Sequence, residues 1–421
     1  MAKTRSGVRT AAVTAAALLV LAACGGKDPS TKGGGPRNDT EATDGKGTVT
    51  VGLLNPTTGP FAALGTDVNA GFQAYLDSKG GVLSGYGVKV AKADEGTDAA
   101  QGTTKARQLV EQDKAQVVVG LVNSAIAYAV APYLEQSDVP LLITVAGADG
   151  LTRKQNGNTF RLSYTSSQDA MPLGPYTCKE LGKRKAVVLG LDYSFGWEAA
   201  GGFARTYEDA GCQVVQEIYA PLGTQDWGPY VNQVKKDADV VYVVAPGQDG
   251  VRLLKAYRDF GVKLPVVAHG STVDETILPT EGATAEGVVS SLHYTPQIDS
   301  PANKALLDAH GGKGNQYLED GWAAGMALEA ALARLDGAPT PAGIRAALAA
   351  VKVDAPRGPV SFDAYGQAVY PVYIRKVEAK DGKRVNAIVA TVPDVNQFGT
   401  YDPATYLAFP GYDKLKGSWA K

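Results

Sequence analysis

The chain has 421 residues, of which 44% are hydrophobic and 20% charged, with a formal net charge of -2. That length allows two domains of ordinary size, and the balance lacks the basic excess that phosphate contacts require, which argues against a nucleic-acid partner. The three histidines and three cysteines form no cluster with zinc-ligand spacing, so no metal or other cofactor is expected.

The N-terminus opens with Lys3, Arg5 and Arg9 and continues into an apolar run over 10–23. This run is too short to span a bilayer comfortably and reads as a secretory signal. The boundary Leu21-Ala22-Ala23-Cys24-Gly25 resembles the bacterial lipobox. That resemblance implies cleavage after residue 23, a lipid on the Cys24 thiol, and anchoring on the outer face of the cell membrane; two acyl chains suffice for this. Residues 24–47 are rich in Gly, Lys, Asp, Thr and Pro and read as a flexible tether. Cys178 and Cys212 remain. In an exported chain they could pair, or they could be two separate buried thiols; their spacing does not decide.

From Thr48 the chain alternates β-rich runs with helical periodicity. "TVTVGLLN" (48–55) predicts a strand, and Val68, Phe72, Tyr75 and Leu76 predict a helix that stops at Gly80-Gly81. Strands follow at 87–94, 115–121 and 139–145, separated by helical stretches at 98–113 and 124–138. The pattern then restarts. A helix over 168–181 leads to the strand "KAVVLGL" (185–191). Helices at 197–210, 227–236 and 249–260 alternate with strands at 212–219, 238–245 and 264–270, and "EGVVSSLHY" (286–294) adds one more. Strand-helix repetition implies parallel strands with helical crossovers. The remainder predicts long helices over 315–335 and 340–351, two antiparallel strands within 358–378, and a Tyr-, Phe- and Pro-rich tail over 392–421.

Several segments in order resemble the type I periplasmic binding proteins of the branched-chain amino-acid type, which serve ABC importers. They are "GLLNPTTGPFAALGTDVNAGFQAYLDSKGG", "VVVGLVNSAIAYAVAPYLEQSDVPLLIT", "VVLGLDYSFGWEAAGGF" and "RGPVSFDAYGQAVYPVYIRKVE". "DYSFGWE", "PLGTQDW", "GVVSSLHYTPQIDSPANK" and "PDVNQFGTYDPATYL" are similar to a subgroup associated with aromatic or other hydrophobic carboxylates. The resemblance implies an α/β fold of two doubly wound parallel-sheet lobes joined by three crossing strands. The crossings fall near 160–165, 292–295 and 359–372. It divides the chain into a first lobe (48–163 with 296–358), a second lobe with hinge strands (164–295 with 359–391) and the tail. It further implies a monomer that captures a small carboxylate, either a hydrophobic amino acid or an aromatic acid, and delivers it to a membrane permease. Presentation to a receptor is the alternative.

Open α/β sheets bind ligands beyond the carboxyl ends of their strands, at helix N-termini. Ser124, beside Asn123, matches the family serine whose hydroxyl meets a ligand carboxylate; a plain N-cap role is the other reading. Ala146 and Ala148 match positions that offer backbone N–H and C=O groups, and Leu64 stands where amino-acid binders often carry tyrosine. The second wall would come from Asp192, Tyr193 and Phe195, from Gln248, and from His269, Ser271 and Thr272. Trp197, Tyr317 and Trp322 fit a wall or a core equally. Amino-acid binders of this family usually have an acid at the position of Gly270 or Ser271. Asp274 and Glu275 are expected to begin a helix, so an ammonium would need Asp192 or another acid as counter-charge. No nucleophile elbow, P-loop, zinc helix or paired CxxC occurs, so no enzymatic site is expected.

Overall fold

The computed structural model describes residues 45–155 and 157–419. The signal segment, Cys24 and most of the tether lie outside the described residues. No described helix is long and apolar enough to cross a membrane.

Fifteen strands are described: β1 (Thr48–Asn55), β2 (Val82–Leu83), β3 (Tyr86–Asp94), β4 (Val117–Gly120), β5 (Leu141–Ile143), β6 (Thr159–Arg161), β7 (Lys185–Leu191), β8 (Gln213–Ala220), β9 (Val240–Val244), β10 (Val266–His269), β11 (Val289–Leu292), β12 (Lys352–Ala355), β13 (Gly358–Phe362), β14 (Ala368–Lys380) and β15 (Lys383–Val395). The first sheet runs β2-β3-β1-β4-β5-β6, parallel except for the β2–β3 pair. The second runs β12-β13-β14-β11-β10-β9-β7-β8, parallel from β11 to β8 and antiparallel at β14, with β15 paired to β14. The central strands read as unbroken Val/Leu/Ile runs because helices cover both faces, as the β4 sequence VVVG with four buried residues shows.

The molecule is thus α/β in two lobes. β14 is long enough to serve both. Its start, with Ala368, Tyr370 and Val372, lies in the same core as Val49, Phe72 and Trp322 of the first lobe. Beyond it, Tyr373–Lys376 pair with β11 of the second. Helices Pro301–Ala309, Gln316–Leu332 and Pro341–Leu348 return to the first lobe, where Leu306, Trp322, Ile344 and Leu348 are buried in that core. Helix Ala62–Ser78 crosses Gln316–Leu332 so closely that a Cβ on Gly71 would run into the Leu318 carbonyl, and one on Gly321 into that of Val68. Trp322 is therefore core, edge-on to Tyr75.

Three expectations need correction. The helix over 168–181 shrinks to Leu173–Pro175 and a wide turn Tyr176–Glu180, because Pro172 and Pro175 remove backbone donors. The helix over 227–236 is the single turn Gly228–Val231. β15 is an additional closing strand that carries the ladder to Val395, so the tail proper begins at residue 396. That tail packs Phe398 and Tyr406 against Met171, and Arg205 lies over Phe409, Tyr412 and Trp419. Cys178 and Cys212 are disulfide-bonded.

Gly321→Ala should destabilise the protein by about 2 kcal/mol or more, since neither backbone can yield without separating the two helices. Denaturant unfolding measures it.

Candidate functional site

The first wall of the cleft is a pair of loops beyond β4 and β5. Past Gly120 the chain turns through Leu121 at φ 72°. The buried Glu95 carboxylate then accepts the Val122 and Asn123 N–H groups at 2.9 and 3.0 Å. Desolvation pushes its pKa up to about 7 despite those two bonds. Asn123, not Ser124, caps helix Ser124–Gln136, accepting the Ala125 N–H. Ser124 Oγ accepts the Ala148 N–H at 3.1 Å, which leaves the Ser124 O–H free to donate.

Ala146 donates its N–H to Leu121 O, and the carbonyls of Ala146 and Ala148 both accept from Arg161 Nη1, at 3.1 and 2.7 Å. The backbone groups expected to face a ligand at Ala146 and Ala148 are therefore engaged within the protein. The N–H between them, on Gly147, has no acceptor among the described residues. Leu64 is partly buried against Val68, Val122, Val145 and Tyr317.

The second wall is aromatic. His269 ends β10, its ring edge-on to Phe195 at 5.0 Å, and Tyr193 lies 6.0 Å from Phe195. Tyr164, from the first crossing, has its ring 5.5 Å from His269 and 5.5 Å from His293. It also abuts the first wall, since a Cβ on Gly147 would lie 3.2 Å from Tyr164 Cε2. The hydroxyls of Tyr164, Tyr193 and Tyr317 all have pKa values raised by desolvation, and none has a hydrogen-bond partner among the described residues. Ser271 Oγ pairs with His269 Nδ1 at 2.9 Å. Thr272 accepts the Ala245 N–H at 3.1 Å and so ties two loops together. Gln248 is exposed at the start of helix Gln248–Asp259.

Asp192 already has partners within the protein. It accepts the Trp197 indole N–H at 2.8 Å and forms an ion pair with Lys416 of the tail, which holds its pKa below the usual range. Trp197 is accordingly held by its own helix start. Two buried acids act on these rings: Asp169, which bonds His293 Nδ1 at 2.8 Å and accepts the Tyr370 hydroxyl at 3.0 Å, and Asp274, which accepts Thr276 N–H and, across the lobes, Gln316 Nε2, both at 2.9 Å. His293, Glu319 and Asp320 lie close enough to share a cation, but the Arg357 guanidinium already bridges the two carboxylates. A surface cavity of about 430 Å³ lies under the tail, bounded by Met171, Lys179 and Tyr401, and shares no residue with either wall.

A second cross-lobe contact joins Asp149 N–H to the Glu198 carboxylate at 3.3 Å. Burial, then the neighbouring Asp149 charge, raises the Glu198 pKa to about 8, against Ser166 and Arg161, which lower it. The folded protein thus keeps a proton that the unfolded chain releases from about pH 4.5, so this group's contribution falls as pH rises from there to about 8. Glu198→Gln should reduce the loss of Tm between pH 5 and pH 8. Glu95 and Glu281, also raised, keep some slope. Calorimetry at the two pH values reads the difference.

Residues 48–383 match the family model described as periplasmic binding protein. The chain is 30% identical over 361 residues to Leu/Ile/Val-binding protein homolog 6 of Brucella melitensis, covering 82% of this chain and 91% of that one. An ABC transporter substrate-binding protein from Sphaerobacter thermophilus superposes with TM-score 0.80 at 30% identity, covering 83% of this chain and 99% of its own. A solute-binding protein of an ABC transporter from R. palustris, in complex with 4-hydroxybenzoate, gives TM-score 0.77 at 30% identity, covering 84% and 99%. The two parallel-sheet lobes, the loops that face each other beyond their strand ends and these similarities lead to one conclusion: the chain belongs to the periplasmic binding protein family and is a solute-binding protein, not an enzyme.

Proposed function

We propose that the chain captures a flat, apolar monocarboxylate of the aromatic-acid class between its lobes and delivers it to the permease of an ABC importer, tethered through an acylated Cys24. The observation that carries this reading is the character of the second wall. Tyr164, Tyr193, Phe195 and His269 present ring surface, while the nearby acids are committed, Asp192 to Lys416 and Trp197, Asp274 to Gln316 and Thr276, and Asp169 to His293 and Tyr370. An α-ammonium group in that setting would lose its hydration and find each of these carboxylates already hydrogen-bonded within the protein. A carboxylate, by contrast, finds the Ser124 hydroxyl and the Gly147 N–H on the first wall. The 4-hydroxybenzoate bound to the similar R. palustris protein supports the same class. Ligand would favour the closed arrangement because it touches both walls only there.

4-Hydroxybenzoate should raise the Tm of the purified protein and leucine should not. Ser124→Ala should weaken aromatic-acid binding by about tenfold in calorimetry, the loss of one charge-assisted hydrogen bond. A chain that binds leucine and no aromatic acid overturns the reading. For the tether, Cys24→Ser should move the protein from the membrane to the soluble fraction, and unchanged retention on fractionation counts against lipidation.

A further inference from the structure

His269 carries a proton whose position the surrounding bonds fix. Its Nδ1 accepts the backbone N–H of Ser271 at 3.2 Å, beside the Ser271 hydroxyl at 2.9 Å. A backbone N–H can only donate, so Nδ1 holds a lone pair and the proton of the neutral ring sits on Nε2. The ring is wholly buried, and desolvation pushes its pKa down to about 4, so it is neutral at physiological pH. Nε2–H is therefore a buried donor, and it has no acceptor among the described residues. Such groups are uncommon in folded proteins and point to a partner that arrives later.

The neighbourhood says what kind of partner. Phe195 and Tyr164 flank the imidazole, and the same Tyr164 ring abuts Gly147 on the opposite wall. A solute held by its carboxylate at Ser124 and Gly147 thus has its other end toward His269. The free hydroxyls of Tyr164 and Tyr193 belong to the same aromatic group. We propose that His269 is a specificity-determining residue whose Nε2–H donates to an acceptor oxygen at the end of the solute remote from its carboxylate. The preferred class is then a ring-hydroxylated aromatic acid, whose own hydroxyl can donate a hydrogen bond to a tyrosine oxygen. This rests on the aromatic-carboxylate reading above.

The test is calorimetry of wild type and His269→Phe with benzoate and 4-hydroxybenzoate. Wild type should bind 4-hydroxybenzoate about tenfold more tightly than benzoate, the worth of one buried hydrogen bond. His269→Phe should erase that preference, read as the ratio of the two affinities in the variant. Equal affinity of wild type for both acids, or a preference that survives the substitution, overturns the inference, as does an equal loss for both acids, since His269 would then be meeting the carboxylate or shaping the wall. Wild type that binds neither acid overturns the aromatic-carboxylate reading itself. Nitrogen-15 spectra of unsubstituted protein give a check independent of folding of the variant. The His269 Nε2–H resonance should shift with 4-hydroxybenzoate and stay with benzoate, and a ring protonated on Nδ1 would refute the assignment.

Discussion

Three guanidinium groups with no exposure at all, on Arg161, Arg357 and Arg375, organise this molecule. A charge taken out of water costs several kcal/mol unless the protein replaces its hydration, and a broken partner leaves that cost uncompensated. Here the replacement comes largely from carbonyl oxygens of the loops that face the cleft. Arg161 gathers Ala146 O and Ala148 O, with Gln367 and Thr152 completing its shell. Arg375 gathers Tyr294 O and Gly270 O, with Glu275 3.6 Å away. Arg357 joins Leu162 O to the carboxylates of Glu319 and Asp320. Turning those carbonyls inward fixes which edge of each loop looks into the cleft.

All three arginines lie on or beside crossing segments, Arg161 on β6, Arg375 on β14 and Arg357 immediately before β13. The bonds that hold the cleft loops are thus anchored at the hinge. Contacts across the mouth are of another kind. Asp149 with Glu198 and Gln316 with Asp274 each join one lobe to the other and would separate on opening. Tyr164 follows β6 in the first crossing and touches groups of both lobes, so it forms part of the floor on which they turn. Stiff loops with few bonds between them suit a two-state clamp in which a modest ligand affinity decides the population.

The strands were legible because a buried parallel strand needs a short apolar run, and β1, β7 and β9 all have one. β15 was not, because "KRVNAIVATVPDV" mixes charge with apolar residues on an edge where one face meets water. At the site, local pattern placed Ser124 beside its helix start, and the second-wall rings followed from their position after β7 and β10. What sequence could not show was long-range partnership. Asp192 looked available until Lys416, more than two hundred residues on, took it. Ala146 and Ala148 looked like ligand contacts until Arg161 claimed their carbonyls. Glu95, Tyr164 and Glu198 gave no local signal, since their roles arise only when two lobes meet.

The bridge between Cys178 and Cys212 spans 34 positions and ties the wide turn before β7 to the start of β8, enclosing the whole first βα unit of the second lobe. A covalent ring of that size removes chain entropy from the unfolded ensemble worth about 4 kcal/mol in the loop-closure account. Thiols of this sort stay reduced in the cytosol and oxidise once outside it. One half of the clamp therefore acquires part of its durability only in an oxidising compartment, while the other half has no cysteine to bridge. The reduced chain is the softer of its two forms.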